Sequence, residues 1–118
     1  MNDKDVRVSR SEKMRLYQKG LRDANPDYFR DKHLRKHYGV SLAWYEETLA
    51  KQKHACAICK QPETMVIKGQ VCRLAVDHCH DHGHARGLLC AACNRGIGCL
   101  GHSAGRLRAA LAYLDETV

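Results

Sequence analysis

The sequence predicts an α+β fold in which a basic helical arm precedes a small zinc-bound ββα unit and a further helix closes the chain. Apolar residues recur at helical spacing before residue 55 and after residue 103, whereas short β-branched runs, glycine, cysteine and histidine fill the segment between. Two Cys-x-x-Cys pairs bracket that segment. Four thiolates at this spacing are typical of a structural zinc site.

The length of 118 residues predicts one compact domain. A chain of this size buries only a moderate fraction of its surface, so a metal ion that joins distant segments would add to its stability. Its seven cysteines come without a charged-then-apolar leader and without an apolar run of about 18 residues. These features predict an intracellular, cytoplasmic protein with no membrane partner, in which thiols bind metal rather than form disulfides.

Positive charge is concentrated in the first half of the chain. Lys and Arg number 20 against 13 Asp and Glu, for a formal net charge of +7, and residues 1–55 hold 13 of the cations against 8 acids. A cationic arm of this kind suits a polyanion such as DNA or RNA, although a solvated helix surface accounts for the same charge. We therefore divide the chain into a basic helical arm, 1–55, which the family resemblance described below implies to be DNA-binding, and a zinc-stabilised unit with a C-terminal helix, 56–118.

The arm begins with two predicted helices. Residues 9–24 carry a narrow apolar stripe among basic side chains, which indicates an amphipathic helix. Asn25 is a good cap and Pro26 is tolerated at a first helical position, so a second helix is expected over 26–38. Gly39 can end that helix in a left-handed conformation.

A third helix is expected over 42–53. Ser41 is a good N-cap for it, and apolar residues recur at helical spacing behind this serine. The first cysteine pair, Cys56 and Cys59, follows directly and is expected to form a knuckle turn. The arm therefore ends where the metal site begins.

Short β-branched runs predict three strands in the middle of the chain. Residues 64–68 and 71–77 are expected to pair through a tight connection at Gly69-Gln70. A third strand is expected over 85–89, after a polar, His-rich loop at 78–84. The middle of the chain is thus predicted to be a small sheet.

The second cysteine pair is expected to open a helix at residue 91 or 92, which places Asn94 in its first turns. A Gly-rich stretch at 96–101 then separates this helix from a last one at 104–116, which Ser103 can cap. The apolar face of the last helix could serve the core or a dimer. Both monomer and homodimer therefore stay open.

The ββα unit contains both soft metal ligands, the cysteine thiolates, and hard ones, the oxygen donors. The two classes suit different ions. Asp77 and Asn94 offer a carboxylate and an amide oxygen, which suit Mg²⁺ or Mn²⁺. His78 would stand beside the hydrated cation, where a neutral imidazole can take a proton from water. Such a cation also neutralises charge on a phosphate and its leaving oxygen, so these parts suffice for phosphodiester cleavage. The expected zinc ligands are Cys56, Cys59, Cys90 and Cys93.

Residues 77–94, DHCHDHGHARGLLCAACN, resemble the recombination endonuclease VII family of HNH, or ββα-metal (His-Me finger), nucleases. The knuckle Cys56-x-x-Cys59 ahead of this run and Ile97-Gly98 behind it match that family as well. The resemblance implies a divalent-metal-dependent DNA endonuclease. Nicking, double-strand cleavage and cleavage of branched DNA all stay open, as does the biological setting, phage or host.

The resemblance also implies roles for individual residues. Asp77 and Asn94 would bind the catalytic divalent ion, and His78 would be the general base. His80 would help to hold the phosphate or shape the site. The four clamp cysteines would hold the structural zinc.

Basic residues near this site and on the arm are the expected DNA contacts. They are Arg86, Arg95, Arg15, Lys19, Arg22, Arg35 and Lys36. Arg86 could equally pair with a carboxylate. The rival interpretation is a non-catalytic zinc-ribbon module that binds nucleic acid without cutting it, and one polynuclear zinc site is a further alternative. We expect no ligand role for Cys72, Cys79, Cys99, His82 or His84.

Overall fold

The computed structural model describes residues 9–116, which form five helices and two small antiparallel sheets. The predicted α+β class is confirmed. The elements are α1 (Arg10–Ala24), α2 (Pro26–Tyr38), α3 (Leu42–Lys51), β1 (Val66–Ile67), β2 (Gln70–Val71), β3 (Ala75–His78), β4 (Ala85–Leu89), α4 (Ala91–Cys99) and α5 (Ala104–Glu116). The outer ends of the two expected units, 1–8 and 117–118, lie outside the described residues.

The first two helices match their predicted bounds to within a residue. Pro26 opens α2, and Gly39 ends it with a φ of 67° in the left-handed region. Asn25 lies at the N-cap, but its side chain makes no capping hydrogen bond, contrary to expectation. The fixed φ of Pro26 suits the start of a helix without that bond.

The third helix is two residues shorter than predicted. Ser41 caps it as expected, because its Oγ accepts a hydrogen bond from the Trp44 backbone N–H at 3.0 Å. The helix ends at Lys51, since Lys53 and His54 have φ values of 56° and 58°, which are incompatible with a right-handed helix.

The strands before the His-rich loop differ from the prediction. Lys68 and Gly69 form the hairpin turn, with φ values of 51° and 77°, so Gln70 belongs to β2 rather than to the turn. The single strand expected over 71–77 is divided, because residues 72–74 leave the strand conformation. The predicted strand over 85–89 is confirmed as β4, and it pairs with β3.

The C-terminal helices form where the sequence placed them, with one correction. Gly96 and Gly98 lie inside α4 rather than in a connecting loop. Neither has the positive φ that only glycine adopts easily, whereas Gly101 does, at 67°, and it follows the end of that helix. Ser103 caps α5 through its Oγ, which accepts from the Arg106 N–H at 3.1 Å.

One hydrophobic core joins the helical half to the ββα unit. Its buried members are Leu34, Val40, Tyr45, Cys56, Leu74, Val76, Leu88, Leu89 and Cys90. The Tyr45 hydroxyl donates to the Leu74 carbonyl at 2.5 Å, which ties α3 to the point where the expected strand is interrupted. Helices α2 and α3 therefore pack with the unit, whereas α1 contains no buried residue. The described chain is elongated, 76 × 30 × 27 Å.

The helices in the described part of the chain include none that is long and apolar enough to cross a membrane. The predicted division at residue 55 stays a prediction.

Gln52 joins the end of α3 to β4. Its Nε2 donates to the Leu88 carbonyl at 2.9 Å, and its Oε1 accepts from the Leu88 N–H at 3.0 Å. The same Nε2 donates to the Ala55 carbonyl. A Cβ on Gly87 would lie only 3.2 Å from this Oε1, so glycine leaves room for the amide. Gln52 thus hydrogen-bonds to the edge of β4 that faces away from β3, as another strand would.

We expect Gln52→Ala to lower the free energy of unfolding by about 1–3 kcal/mol, because it leaves the buried Leu88 amide N–H without its partner. Chemical denaturation followed by circular dichroism measures the change. Gln61→Ala is the control, since the Gln61 side chain is exposed. Equal stability losses in both variants would contradict this role.

Candidate active site and metal centre

The four cysteines of the two knuckles come together as a candidate metal centre. The sulfur atoms of Cys56, Cys59, Cys90 and Cys93 all lie within 4.8 Å of one another. The Cys59 and Cys90 sulfurs are 3.9 Å apart. A tetrahedral zinc with Zn–S bonds of about 2.3 Å requires sulfur separations of about 3.8 Å, so this cluster fits a zinc ion.

Both knuckles turn through backbone N–H groups that donate to sulfur. The Ile58 N–H donates to the Cys56 Sγ, and the Cys93 N–H donates to the Cys90 Sγ, each at 3.4 Å. Such bonds favour the negative charge of a thiolate. The two knuckles are therefore built alike, although one closes a loop and the other starts a helix.

The cysteine pKa values reflect this crowding. Burial acts to raise the pKa of Cys56, but backbone hydrogen bonds, the largest from Cys90, outweigh it and lower that pKa to about 6. Burial and contacts with the neighbouring thiols raise the pKa of Cys93 to about 12. A metal that binds all four sulfurs must therefore release protons from the cluster.

The cluster fixes the start of α4. Cys90 follows β4 directly and is the N-cap of α4. Glu63 supplies a second cap, because its Oε2 accepts from the Ala91 N–H at 2.7 Å, which contributes to lowering the Glu63 pKa against the opposing effect of burial. Asn94 lies one turn into this helix, and α4 contacts β3. The sequence offered no signal for the role of Glu63.

Asp77 is the one buried polar or charged residue found in the described core, and it has a specific partner. Arg86 donates to both carboxylate oxygens, from Nε at 2.7 Å and from a terminal nitrogen at 3.1 Å. The hydrogen bond to Asp77 raises the pKa of Arg86. Of the two alternatives open for Arg86, the structure shows the carboxylate pair.

A β-bulge brings these two side chains together. Asp77 pairs with Gly87 and His78 pairs with Ala85, so Arg86 is the extra residue of β4. Successive side chains of a regular strand point to opposite faces of the sheet. Because Asp77 lies opposite Gly87, a regular strand would point the next side chain, Arg86, away from Asp77. The bulge redirects Arg86 onto the carboxylate, which is a frequent use of bulges beside active sites.

His78 is half-buried at the end of β3, and Tyr38 holds it. The His78 Nε2 lies 2.9 Å from the Tyr38 carbonyl oxygen, and the two rings stack with centroids 5.5 Å apart. A carbonyl can only accept, so Nε2 carries the proton and Nδ1 is the basic nitrogen. Tyr38 is the last residue of α2, and only the folding of that helix onto β3 reveals this contact.

The hard-ligand pair fits a divalent cation in type. Asn94 is half-buried, and its side chain has no hydrogen bond within residues 9–116, so its amide oxygen is available. Asp77 adds a carboxylate, but both its oxygens contact Arg86. Oxygen donors of these two kinds suit Mg²⁺ or Mn²⁺, provided that Arg86 yields part of the carboxylate.

His80 lies on the exposed turn between β3 and β4. Its ring packs against that of His102 in a tilted arrangement, with centroids 3.8 Å apart. His102 was not predicted, and its buried Nδ1 has no hydrogen-bond partner in the described structure. His102 also lines a cavity of about 330 Å³ together with Asp77 and Arg86.

The predicted DNA contacts differ in their surroundings. Lys19 pairs with Asp23 and Arg35 pairs with Asp31, each at 2.8 Å on its own helix. The other exposed cations of this set, Arg15, Arg22, Lys36 and Arg95, form no ion pair within residues 9–116. They are available to a polyanion.

Together the β3–β4 hairpin, the helix behind it and the cysteine cluster define a cysteine-clamped ββα protein. The sequence model of the recombination endonuclease VII family matches residues 31–116, which is most of the chain. The chain belongs to the recombination endonuclease VII family, which implies a nuclease with DNA as its substrate. No curated protein and no solved structure matches the chain significantly.

We expect a strong chelator to remove bound zinc and unfold the ββα unit, and added zinc to restore it, because metal binding couples to folding at such clusters. Lowering the pH toward about 5 should also weaken zinc binding, since protons compete for thiolates such as Cys56, whose pKa is about 6. Metal analysis and circular dichroism measure both effects.

Single cysteine variants separate the ligands from the other thiols. Cys90→Ser should lose zinc and melt at lower temperature, whereas Cys99→Ser, a change at an exposed thiol outside the cluster, should do neither. Full zinc retention in Cys90→Ser would disprove the assignment.

Proposed function

We propose that this protein is an HNH-type endonuclease that hydrolyses DNA phosphodiester bonds with a divalent metal ion and with His78 as the general base. Family membership supports the nuclease class. The contact between His78 and Tyr38 is the observation that carries the proposed mechanism.

That contact leaves one nitrogen of His78 ready for proton transfer. The Tyr38 carbonyl holds the proton on Nε2, so Nδ1 has a lone pair for the proton of an attacking water. The stacked ring of Tyr38 restricts rotation of the imidazole. A base held in one tautomer and one orientation needs less rearrangement when substrate arrives.

Asp77 and Asn94 would hold the catalytic Mg²⁺ or Mn²⁺. The ion would stabilise negative charge on the scissile phosphate and on its leaving oxygen. Asp77 is adjacent to His78 on β3, so the carboxylate and the base share one strand end. Asn94 lies on α4, which contacts β3 and begins at the cysteine cluster.

His80 would contact a phosphate next to the cut. It is exposed, and the ring of His102 in the α4–α5 connection packs against it in a tilted arrangement. An exposed imidazole with a packed partner can donate to a phosphate oxygen without losing much conformational freedom.

The helical arm would bind the DNA backbone. Arg15 and Arg22 lie on α1, which buries none of its residues. Arg95, outside the arm, lies on α4 one residue after Asn94 and would add a phosphate contact near the site. Contacts of this kind set affinity rather than sequence preference.

We expect His78→Ala to reduce the rate of plasmid cleavage in Mg²⁺ by about 10²- to 10⁴-fold, the usual contribution of a general base. Asn94→Ala should require a higher Mg²⁺ concentration to reach its half-maximal cleavage rate, because it removes a ligand of the ion. Conversion of supercoiled plasmid to nicked and linear forms measures both rates.

His82→Ala is the matched control, since His82 is an exposed loop imidazole whose ring stacks on that of His84. It should cleave at close to the wild-type rate. Equal cleavage by His78→Ala would refute the general-base role. DNA binding without cleavage by the wild type, in both Mg²⁺ and Mn²⁺, would instead favour the zinc-ribbon binding module.

We expect the double variant Arg15→Ala/Arg22→Ala to bind duplex DNA more weakly and to lower the slope of log affinity against log salt by about 2, one for each lost phosphate contact. Fluorescence anisotropy over a salt series measures this slope. Lys60→Ala/Lys68→Ala removes two cations outside the arm and is the control. An equal change of slope in the control would argue against a specific role for the arm.

A further inference from the structure

Arg86 occupies the carboxylate that the proposed metal site requires. Its Nε and a terminal nitrogen contact the two oxygens of Asp77 at 2.7 and 3.1 Å. A fork-shaped guanidinium in this geometry uses the lone pairs by which a carboxylate binds a cation most readily. A divalent ion and Arg86 therefore compete for Asp77.

The two partners differ in their freedom to move. The Asp77 side chain is 8% exposed, whereas that of Arg86 is 38% exposed. A buried carboxylate without a counter-charge is costly, so the charged form of Asp77 is stabilised by a cation beside it. Arg86 can leave by rotating its exposed side chain, because its backbone sits in the bulge and no other side chain of the described residues bonds to its guanidinium.

We propose that Arg86 is an exchangeable counter-ion: it neutralises Asp77 until the divalent ion binds, and it then transfers its guanidinium to a phosphate of the bound DNA. This inference rests on the proposed metal site at Asp77. Carboxylate and phosphate both accept the two parallel hydrogen bonds of a guanidinium, so one side chain can serve either partner.

The exchange links metal binding to DNA binding. Before the ion binds, Arg86 is engaged and contributes nothing to DNA affinity. After the ion has taken its place, a positive charge with two donors is released beside the scissile phosphate. The contribution of Arg86 to DNA binding should therefore depend on the divalent ion, unlike that of a surface cation.

The first measurement is Mn²⁺ affinity of the zinc-loaded protein without DNA, by electron paramagnetic resonance of free Mn²⁺. Arg86→Gln should bind Mn²⁺ more tightly than wild type, on the order of tenfold, since the competitor is gone. Arg108→Gln, which removes an exposed cation of α5, controls for the loss of one positive charge. Arg86→Lys is a second variant that keeps the charge, and it should fall between Arg86→Gln and wild type.

The second measurement is duplex affinity in the His78→Ala background, with and without Ca²⁺. Arg86→Gln should weaken binding on the order of tenfold with Ca²⁺ and leave it unchanged without Ca²⁺. Equal losses under both conditions, or Mn²⁺ affinity no higher than in Arg108→Gln, would overturn the exchange.

Asp77→Asn distinguishes this failure from failure of the proposed function. If Asp77→Asn binds Mn²⁺ as tightly as wild type, the metal site itself is misassigned. If Asp77→Asn weakens Mn²⁺ binding while Arg86→Gln does not strengthen it, only the exchange is wrong. Retained zinc and a cooperative thermal transition in each variant show that the fold is intact.

Discussion

The clustering of four sulfur atoms within 4.8 Å determines where the main elements of the ββα unit meet. The cluster lies where β4 ends and α4 begins, because Cys90 directly follows the strand and caps the helix. The first knuckle reaches the same strand, since the Ala57 N–H donates to the Leu88 carbonyl at 3.0 Å. In a chain with one small core, a zinc ion bound at this junction would supplement the packing on which a larger domain relies.

The helical half of the chain does more than present positive charge. Leu34, Val40 and Tyr45 belong to the same core as the strands, and Tyr38 at the end of α2 contacts His78 directly. The side of this half nearest the ββα unit therefore takes part in building the candidate site, whereas α1 buries nothing. A boundary drawn from composition alone would separate His78 from the residue that orients it.

The electrostatics of the site depend on one buried carboxylate. Asp77 is held in the core beside His78, and the bulge in β4 supplies the arginine that compensates its charge. A site arranged in this way is ready for a cation and is already neutral without one. In the exchange that we propose, the two cations would replace each other at this fixed anion, so the same geometry would serve both a stable fold and a metal-dependent activity.

The sequence by itself determined the class of fold, the cysteine cluster, the family and most helix bounds. These follow from ligand spacing, capping residues and apolar periodicity, which are local properties. Only the tertiary structure decided the division of the strand before Asp77, the Gln52 and Glu63 contacts, and the partners of His78 and Arg86. Each of these depends on backbone carbonyls, a bulge or side chains from distant elements, and such contacts leave no periodic signal in the chain. The candidate site residues could therefore be listed from the sequence, whereas their hydrogen bonds and counter-charges required the folded chain.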